Sequence, residues 1–248
     1  MRELLGLEQD GFEGKPLICV PIIGRTQESI YEQAQVAVES KADVIEWRAD
    51  FFDDDLTPET LTAVLEKLRE IIKDKPLLFT FRTAEEGGDK AVSLSDYEHL
   101  YHTVMETELA DILDIQLMTV EDRSTLIQSA HEKEYLVLVS YHNFEETPEA
   151  DDLLGIFARM KESQGDIFKI AVMPNDNFDV LRVLTVSEQA QAIYFQPLVC
   201  ISMGDIGKVS RLIGHHFGSE MTFASLSGAS APGQIPVEEL AHLITAID

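Results

Sequence analysis

Eight short apolar runs recur along the chain: Leu17–Ile23, Val44–Arg48, Leu77–Arg82, Ile112–Leu117, Tyr135–His142, Ile167–Val172, Leu198–Met203 and Met221–Ala224. Segments with helical spacing of apolar residues separate them, at Gln27–Ser40, Pro58–Ile72, Asp96–Leu109, Glu121–Glu132, Thr147–Ser163, Asp176–Ala190, Lys208–Ile213 and Pro236–Ile247. Strands that alternate with helices run parallel, because each helical crossover carries the chain back to the end of the sheet where it started. Eight such units in 248 residues are the content of an α/β fold of the (β/α)8 TIM-barrel type, whereas a doubly wound sheet more often holds about five to seven strands. The expectation is a single barrel domain over residues 1–248, since no linker or low-complexity stretch divides the chain. Gly11–Lys15, ahead of the first run, reads as a turn or short N-terminal hairpin that closes the barrel bottom.

Composition narrows the partners. Acidic residues outnumber basic ones 45 to 19, for a formal charge of −26, which argues against nucleic acid and anionic membrane surfaces. An anionic substrate would then need a local basic pocket. Cys19 and Cys200 each sit inside an apolar run, where free cysteines act as small hydrophobes, so neither is assigned to a disulfide or a metal. The N-terminus carries Glu3, Glu8, Asp10 and Glu13 and has no signal-peptide core. No apolar run approaches the ~18 residues of a membrane span, and a cytoplasmic protein is expected.

One run carries a residue foreign to a buried strand. In Ile167-Phe168-Lys169-Ile170-Ala171-Val172 a period of two puts Phe168, Ile170 and Val172 on one face and Ile167, Lys169 and Ala171 on the other. Burying an unpaired ammonium is costly, and a lysine so placed tends to become an amine nucleophile, the chemistry of a Schiff base. In barrels, chemistry gathers at the C-terminal ends of strands. Val44–Arg48 points Glu46 and Arg48 one way; Leu77–Arg82 aligns Leu78, Thr80 and Arg82; Tyr135–His142 aligns Leu136, Leu138, Ser140 and His142, a general acid/base candidate. Singly, each is an ordinary strand cap. Their convergence around a mid-strand lysine points to a site. A guanidinium ~6 Å from an ammonium at an effective dielectric of ~20 repels it by about 3 kcal/mol, so Arg48 or Arg82 is expected to favour the free amine, with Glu46 and Glu86 offsetting part of that. The same arginines can bind a carboxylate.

Six segments in order, Glu46-Trp47-Arg48, Phe81-Arg82-Thr83-x-x-Glu86-Gly87-Gly88, Ser140-Tyr141-His142-Asn143-Phe144, Phe168-Lys169-Ile170-Ala171, Met203-Gly204 and Ser230-Ala231-Pro232-Gly233-Gln234, closely resemble the type I 3-dehydroquinate dehydratase family over nearly the whole chain. The resemblance implies a (β/α)8 barrel of the shikimate pathway that converts 3-dehydroquinate to 3-dehydroshikimate. It implies that Lys169 forms the substrate imine. His142 would assist imine formation and hydrolysis, remove the adjacent C–H proton and return it to the leaving hydroxyl, both groups departing from one face. Glu86, selected over Glu85 by the motif, would orient and tune the histidine. Arg211, in Lys208-Val209-Ser210-Arg211, would hold the substrate carboxylate, and Glu46, Arg48 and Arg82 would recognise its hydroxyls and charge. Ser230 and Gln234 lie in a loop that reads either as a lid or as a connector. A homodimer is expected by the same resemblance.

The chemistry implies no cofactor. No metal site is read either, His215-His216 being taken as a solvated helix end. Pro21 stands near the end of the first run, where some relatives offer a hydroxyl to substrate, a contact proline cannot make. Met203 and Phe223 read as core packing or pocket wall and stay outside the site list. Two other functions suit the scaffold. A lysine-imine aldolase of a phosphorylated sugar would need a backbone-amide phosphate site, to which Gly228 and Gly233 could contribute, although three arginines fit a carboxylate better. A catalytically silent binding barrel would tolerate Lys169→Met without loss of function.

Overall fold

The computed structural model describes residues 14–117, 123–226 and 230–247. Its strands are β1 (Leu17–Ile22), β2 (Val44–Arg48), β3 (Leu77–Thr80), β4 (Ile112–Gln116), β5 (Leu136–Asn143), β6 (Ile167–Val172), β7 (Leu198–Ser202) and β8 (Met221–Phe223). Its helices are α1 (Gln27–Glu39), α2 (Pro58–Ile72), α3 (Leu94–Thr107), α4 (Arg123–Glu132), α5 (Ala150–Glu162), α6 (Asn177–Tyr194), α7 (Gly204–Ile213) and α8 (Val237–Ile247). Neighbouring strands pair in parallel in the order β7-β6-β5-β4-β3-β2-β1-β8. Contact between Leu198 of β7 and the chain entering β8, where the Glu220 amide donates to the Leu198 carbonyl at 2.8 Å, brings the sheet's two edges together. The fold is a (β/α)8 TIM barrel. Residues 11–13 of the turn expected at Gly11–Lys15 lie outside the described part.

Period-two alternation sorts the strand side chains into two layers. Ile45, Trp47, Phe79, Leu113, Ile115, Phe168, Ile170 and Val172 face outward into the shell where the helices pack. Cys19, Val44, Leu78, Ile112, Leu138, Ile167, Val199 and Met221 fill the barrel interior as a separate apolar cluster. The helices present matching stripes, such as Leu61, Val64, Leu65, Leu68 and Ile72 on α2.

Capping explains most departures from the expected boundaries. Ser93 Oγ accepts from the Asp96 amide, so α3 begins at Leu94, ahead of the expected Asp96. Thr147 instead donates its hydroxyl to the Met173 carbonyl, and α5 starts only at Ala150. Helix α6 runs past Ala190 to Tyr194, where Phe195 adopts a left-handed conformation. Helix α7 starts at Gly204 rather than Lys208, so both glycines of Gly204-Asp205-Ile206-Gly207 lie within the helix. His215 departs from its expected solvated place; it is buried against His216, which is exposed.

Candidate active site

Along the strands of one arc the interior side chains change from aliphatic to ionisable toward the C-terminal end. Val44 gives way to Glu46 and Arg48, Ile112 to Asp114 and Gln116, Leu138 to Ser140 and His142, and Ile167 to Lys169. Of these, Glu46, Arg48, His142 and Lys169 line a cavity at that end of the barrel, the concave setting in which small-molecule sites occur. All nine expected site residues, Glu46, Arg48, Arg82, Glu86, His142, Lys169, Arg211, Ser230 and Gln234, line it. Met203 and Phe223 also form its wall, whereas Pro21 is buried beside Glu46 in the β1–β2 register and away from the lining.

Lys169 is buried, with Nζ 3.4 Å from Asp114 Oδ2, 4.0 Å from Glu46 Oε1 and 4.1 Å from the centroid of the Phe223 ring. The guanidinium repulsion anticipated for it is met by Asp114. Arg82 donates Nη2 to the same Asp114 oxygen at 2.5 Å and Nη1 to Ser140 Oγ at 2.7 Å, while the Ser140 hydroxyl donates to Asp114 Oδ1 at 2.6 Å. Burial would raise the Asp114 pKa, but Arg82 and then Lys169 more than offset it and hold the carboxyl below its usual range. For Arg82, burial opposes the charge, and Asp114 and Glu86 together carry its pKa above the ordinary value.

Arg48 gives Nε and Nη2 to Asp50 at 2.8 and 2.7 Å and lies over the Phe51 ring. Asp50 is fully buried and also accepts from the backbone amides of Arg82 and Asp89, tying the end of β2 to the turn that carries Glu86. Gln116 braces the same turn, exchanging hydrogen bonds with the Thr83 amide and hydroxyl. The glycine pair completes it. Gly87 has φ +79°, and a Cβ there would lie 2.3 Å from the Phe144 ring; one on Gly88 would lie 1.8 Å from the Arg82 carbonyl oxygen. Phe144 in turn stacks on His142 with an interplanar angle of 18°.

His142 Nδ1 and Glu86 Oε2 stand 3.1 Å apart. Burial pushes the Glu86 pKa up to about 7, against the pull of Arg82. Burial also drives His142 well below its ordinary value, helped by Arg82, Lys169 and Arg48. The imidazole is therefore neutral at physiological pH. With Glu86 ionised, Nδ1–H donates to it and leaves Nε2 as a basic lone pair.

Across the cavity, Arg211 of α7 is fully buried, and among the described residues its guanidinium hydrogen bonds only to the carbonyls of Phe223 at 3.2 Å and Pro232 at 3.1 Å. Among the described residues no carboxylate pairs with it and its Nε has no partner. Burial pulls its pKa down to about 10. Ser230 and Gln234 satisfy each other, through Ser230 N to Oε1 at 2.8 Å and Nε2 to Ser230 Oγ at 3.0 Å. The local basic pocket anticipated from the net charge is thus a set of internal ion pairs plus one unanswered guanidinium.

That guanidinium shares one cavity with the buried lysine and the histidine–glutamate pair, and the chain matches the type I 3-dehydroquinase family over residues 18–248. The chain belongs to this family. It is 41% identical over 234 residues to the 3-dehydroquinate dehydratase of Bacillus licheniformis, covering 94% of this chain and 92% of that one. It is 42% identical over 237 residues to that of Listeria monocytogenes. The type I 3-dehydroquinate dehydratase of Clostridium difficile, solved with covalently modified comenic acid, superposes with a TM-score of 0.91 at 39% identity, over 95% of this chain and 93% of that one. The carboxyl transferase domain of Rhizobium etli pyruvate carboxylase, at 12% identity and a TM-score of 0.69, shares the fold alone. The aldolase reading has no support in this family membership, and its Gly228 lies outside the described residues.

Sequence reasoning missed Asp114, Asp50 and Gln116. Asp114 and Gln116 carried a usable signal, since Ile112-Leu113-Asp114-Ile115-Gln116 interrupts an apolar strand with the same alternation as Lys169. Asp50 carried none, standing in the acidic stretch after β2.

Proposed function

We propose that the chain dehydrates 3-dehydroquinate to 3-dehydroshikimate, a step of the shikimate pathway and of aromatic amino acid biosynthesis, through an imine on Lys169. The observation that carries this reading is the opening of Lys169 and Arg211 onto one cavity, a nucleophile facing an unpaired cation. Arg211 binds the substrate carboxylate by exchanging an absent partner for a charge-assisted one. That contact fixes the ketone over Lys169 Nζ. Condensation gives a protonated imine, which draws electrons from the adjacent C–H bond so that a modest base can break it. His142 Nε2 is that base, with Glu86 holding the tautomer through Nδ1. The proton then returns to the neighbouring hydroxyl, which leaves as water, and hydrolysis of the imine frees the product.

Glu46, with one oxygen already accepting from Thr80, takes a substrate hydroxyl, and Arg48 offers the Nη1 that Asp50 leaves free. Arg82 has both terminal nitrogens engaged by Asp114, Ser140 and Glu86, so its part in substrate recognition is to hold those groups in place. Ser230 and Gln234 give up their mutual hydrogen bonds to the substrate. The covalently modified comenic acid in the Clostridium difficile relative supports covalent chemistry in this family. No external cofactor or metal enters the scheme.

The deciding experiment mixes the protein with 3-dehydroquinate and borohydride and locates added mass by intact and peptide mass spectrometry. A substrate-derived adduct on Lys169, absent in Lys169→Met, supports the reading. A folded protein giving neither adduct nor dehydration rejects it. We further read residues 1–248 as one catalytic domain, acting as a cytoplasmic homodimer. No described helix is long and apolar enough to cross a membrane. Exposed Phe178 and Leu181 on α6 and Ile206 and Val209 on α7, two helices that pack together, supply apolar surface for the dimer; sedimentation equilibrium tests it.

A further inference from the structure

Asp114 is fully buried in the barrel interior, and each of its oxygens is taken. Oδ1 accepts from Ser140 at 2.6 Å, and Oδ2 is shared by Arg82 at 2.5 Å and Lys169 at 3.4 Å. Its position follows from register: β4 lies between β3, where Asp114 faces Thr80, and β5, where it faces Leu138, and β5 alone separates it from Lys169 on β6. The scheme above uses Lys169 and leaves Asp114 without a part.

Charge accounting supplies one. The lysine ammonium and a ketone give a protonated imine and one water: the C=O bond is replaced by C=N, two ammonium hydrogens leave with the oxygen, and the positive charge stays on nitrogen. A carboxylate beside that nitrogen is therefore paired with a cation before and after the condensation. Removal of the C–H proton by His142 then places the electron pair on nitrogen and makes it neutral. Loss of the hydroxyl as water draws the pair back out and regenerates the cation.

We propose that Asp114 is the standing counter-ion of the Lys169 nitrogen, a positioning residue that holds the ammonium toward the cavity at rest and keeps the imine nitrogen protonated, the form that draws electrons. This rests on the imine reading. Arg82 and Ser140 serve it by fixing the carboxylate in place, and Arg82 also keeps it ionised. Glu46, at 4.0 Å from Nζ, is a second anion near the same nitrogen but is turned toward Thr80 and the cavity. Asp114 does not itself line the cavity and meets it only through the groups it holds, Lys169 and Arg82.

The test is rapid mixing with 3-dehydroquinate and quenching with borohydride at increasing times, with adduct on Lys169 read by mass spectrometry, in the wild type, Asp114→Asn and Ser140→Ala. Asp114→Asn keeps shape and removes charge. The expected result is imine formation slowed at least tenfold, with kcat lowered in step and KM within threefold of the wild type, because carboxylate binding belongs to Arg211. Ser140→Ala, which loosens the carboxylate and leaves its charge, is expected to slow imine formation severalfold. Wild-type adduct together with an unchanged rate in a folded Asp114→Asn overturns the counter-ion role and leaves the imine reading intact. If Asp114→Asn does not fold, Ser140→Ala decides: an unchanged rate overturns the role, a slowed rate at constant KM supports it. Absence of adduct in the wild type is the separate failure of the imine reading, and this inference falls with it.

Discussion

The barrel mouth has two arcs built on opposite principles. From β2 to β6 its interior is ionic: Glu46, Arg48, Asp50, Arg82, Glu86, Asp114 and Lys169 are interlinked by ion pairs between 2.5 and 4.0 Å. From β7 to β8 it is apolar, with Ile201, Met203 and Phe223 on the wall and one cation, Arg211, held above them by backbone carbonyls. The ionic arc answers its own charges, so its geometry is set before substrate arrives. The apolar arc leaves one charge without an ionic partner among the described residues. Removing a charge should therefore have opposite consequences for stability on the two sides.

Arg211→Met puts the largest strain on this contrast. The lowering of the Arg211 pKa to about 10 by burial corresponds to roughly 3 kcal/mol of unfavourable burial. For a base depressed on folding, that penalty is fully present below about pH 10 and fades only as pH rises from there toward the ordinary arginine value. At neutral pH the variant should melt higher than the wild type in a thermal scan. Its KM should rise ~1,000-fold, about 4 kcal/mol of lost carboxylate binding. A variant that melts lower and binds as before would remove the distinction between the arcs.

Asp50→Asn makes the complementary change on the ionic side. It strands the Arg48 guanidinium in a site where only Phe51 and the cavity remain, and loosens the turn that carries Glu86. Breaking one partner of a buried pair costs about 3 kcal/mol or more. Urea unfolding should show a loss of that size, and unchanged stability would mean that this arc is not held together by its charges.

Unlike Asp114, Glu86 has a net environment that disfavours its charge. Its pKa of about 7 lies above the unfolded value, so its contribution to stability is present below about 4.5 and is lost as pH rises through 7. Glu86→Gln should therefore stabilise the fold by about 2 kcal/mol at pH 8, allowing for the anion lost beside Arg82, and by little at pH 4. Activity should move the other way. Below pH 7 a protonated Glu86 donates to Nδ1 and leaves the proton on Nε2, where it blocks the base. The rate should thus climb through pH 7 in the wild type, and this acid limb should disappear in the variant. Melting curves at the two pH values, with a pH–kcat profile, check both halves.

The ionic arc was more legible in the sequence than the apolar one. Lys169 and Glu46 stood out because a strand's period of two exposes any ionisable residue on an otherwise apolar face, and the eight strands were placed within a residue or two for the same reason. Asp114 shows the same pattern but could not be joined to Lys169, since pairing across β4, β5 and β6 exists only once the barrel is closed. Asp50 follows β2 among Asp53, Asp54 and Asp55 and resembles a solvated turn; its complete burial comes from the fold. Arg211 came from family resemblance alone, because nothing in Lys208-Val209-Ser210-Arg211 marks a helical arginine as inward-facing.

The loop closing the apolar arc gives the smallest expected effect, and it separates the lid and connector readings. Gly233 has φ +78°, and a Cβ there would lie 2.3 Å from the Gly204 carbonyl oxygen. The adjacent Pro232 carbonyl accepts from both the Gly204 amide and Arg211 Nη2, so the loop is fastened to the start of α7 and to the cation at once. Gly233→Ala adds a left-handed alanine, at about 1 kcal/mol, and a backbone clash that is relieved only by lifting the loop away from Gly204. Arg211 then loses a carbonyl and its aim. A lid should show KM raised roughly fivefold, matching about 1 kcal/mol, with kcat within twofold because the ionic arc is untouched. A connector should lower the melting temperature by a few degrees and leave KM where it was. Steady-state kinetics on the purified variant, read beside its melting curve, distinguishes a loop that shapes the carboxylate site from one that only joins β8 to α8.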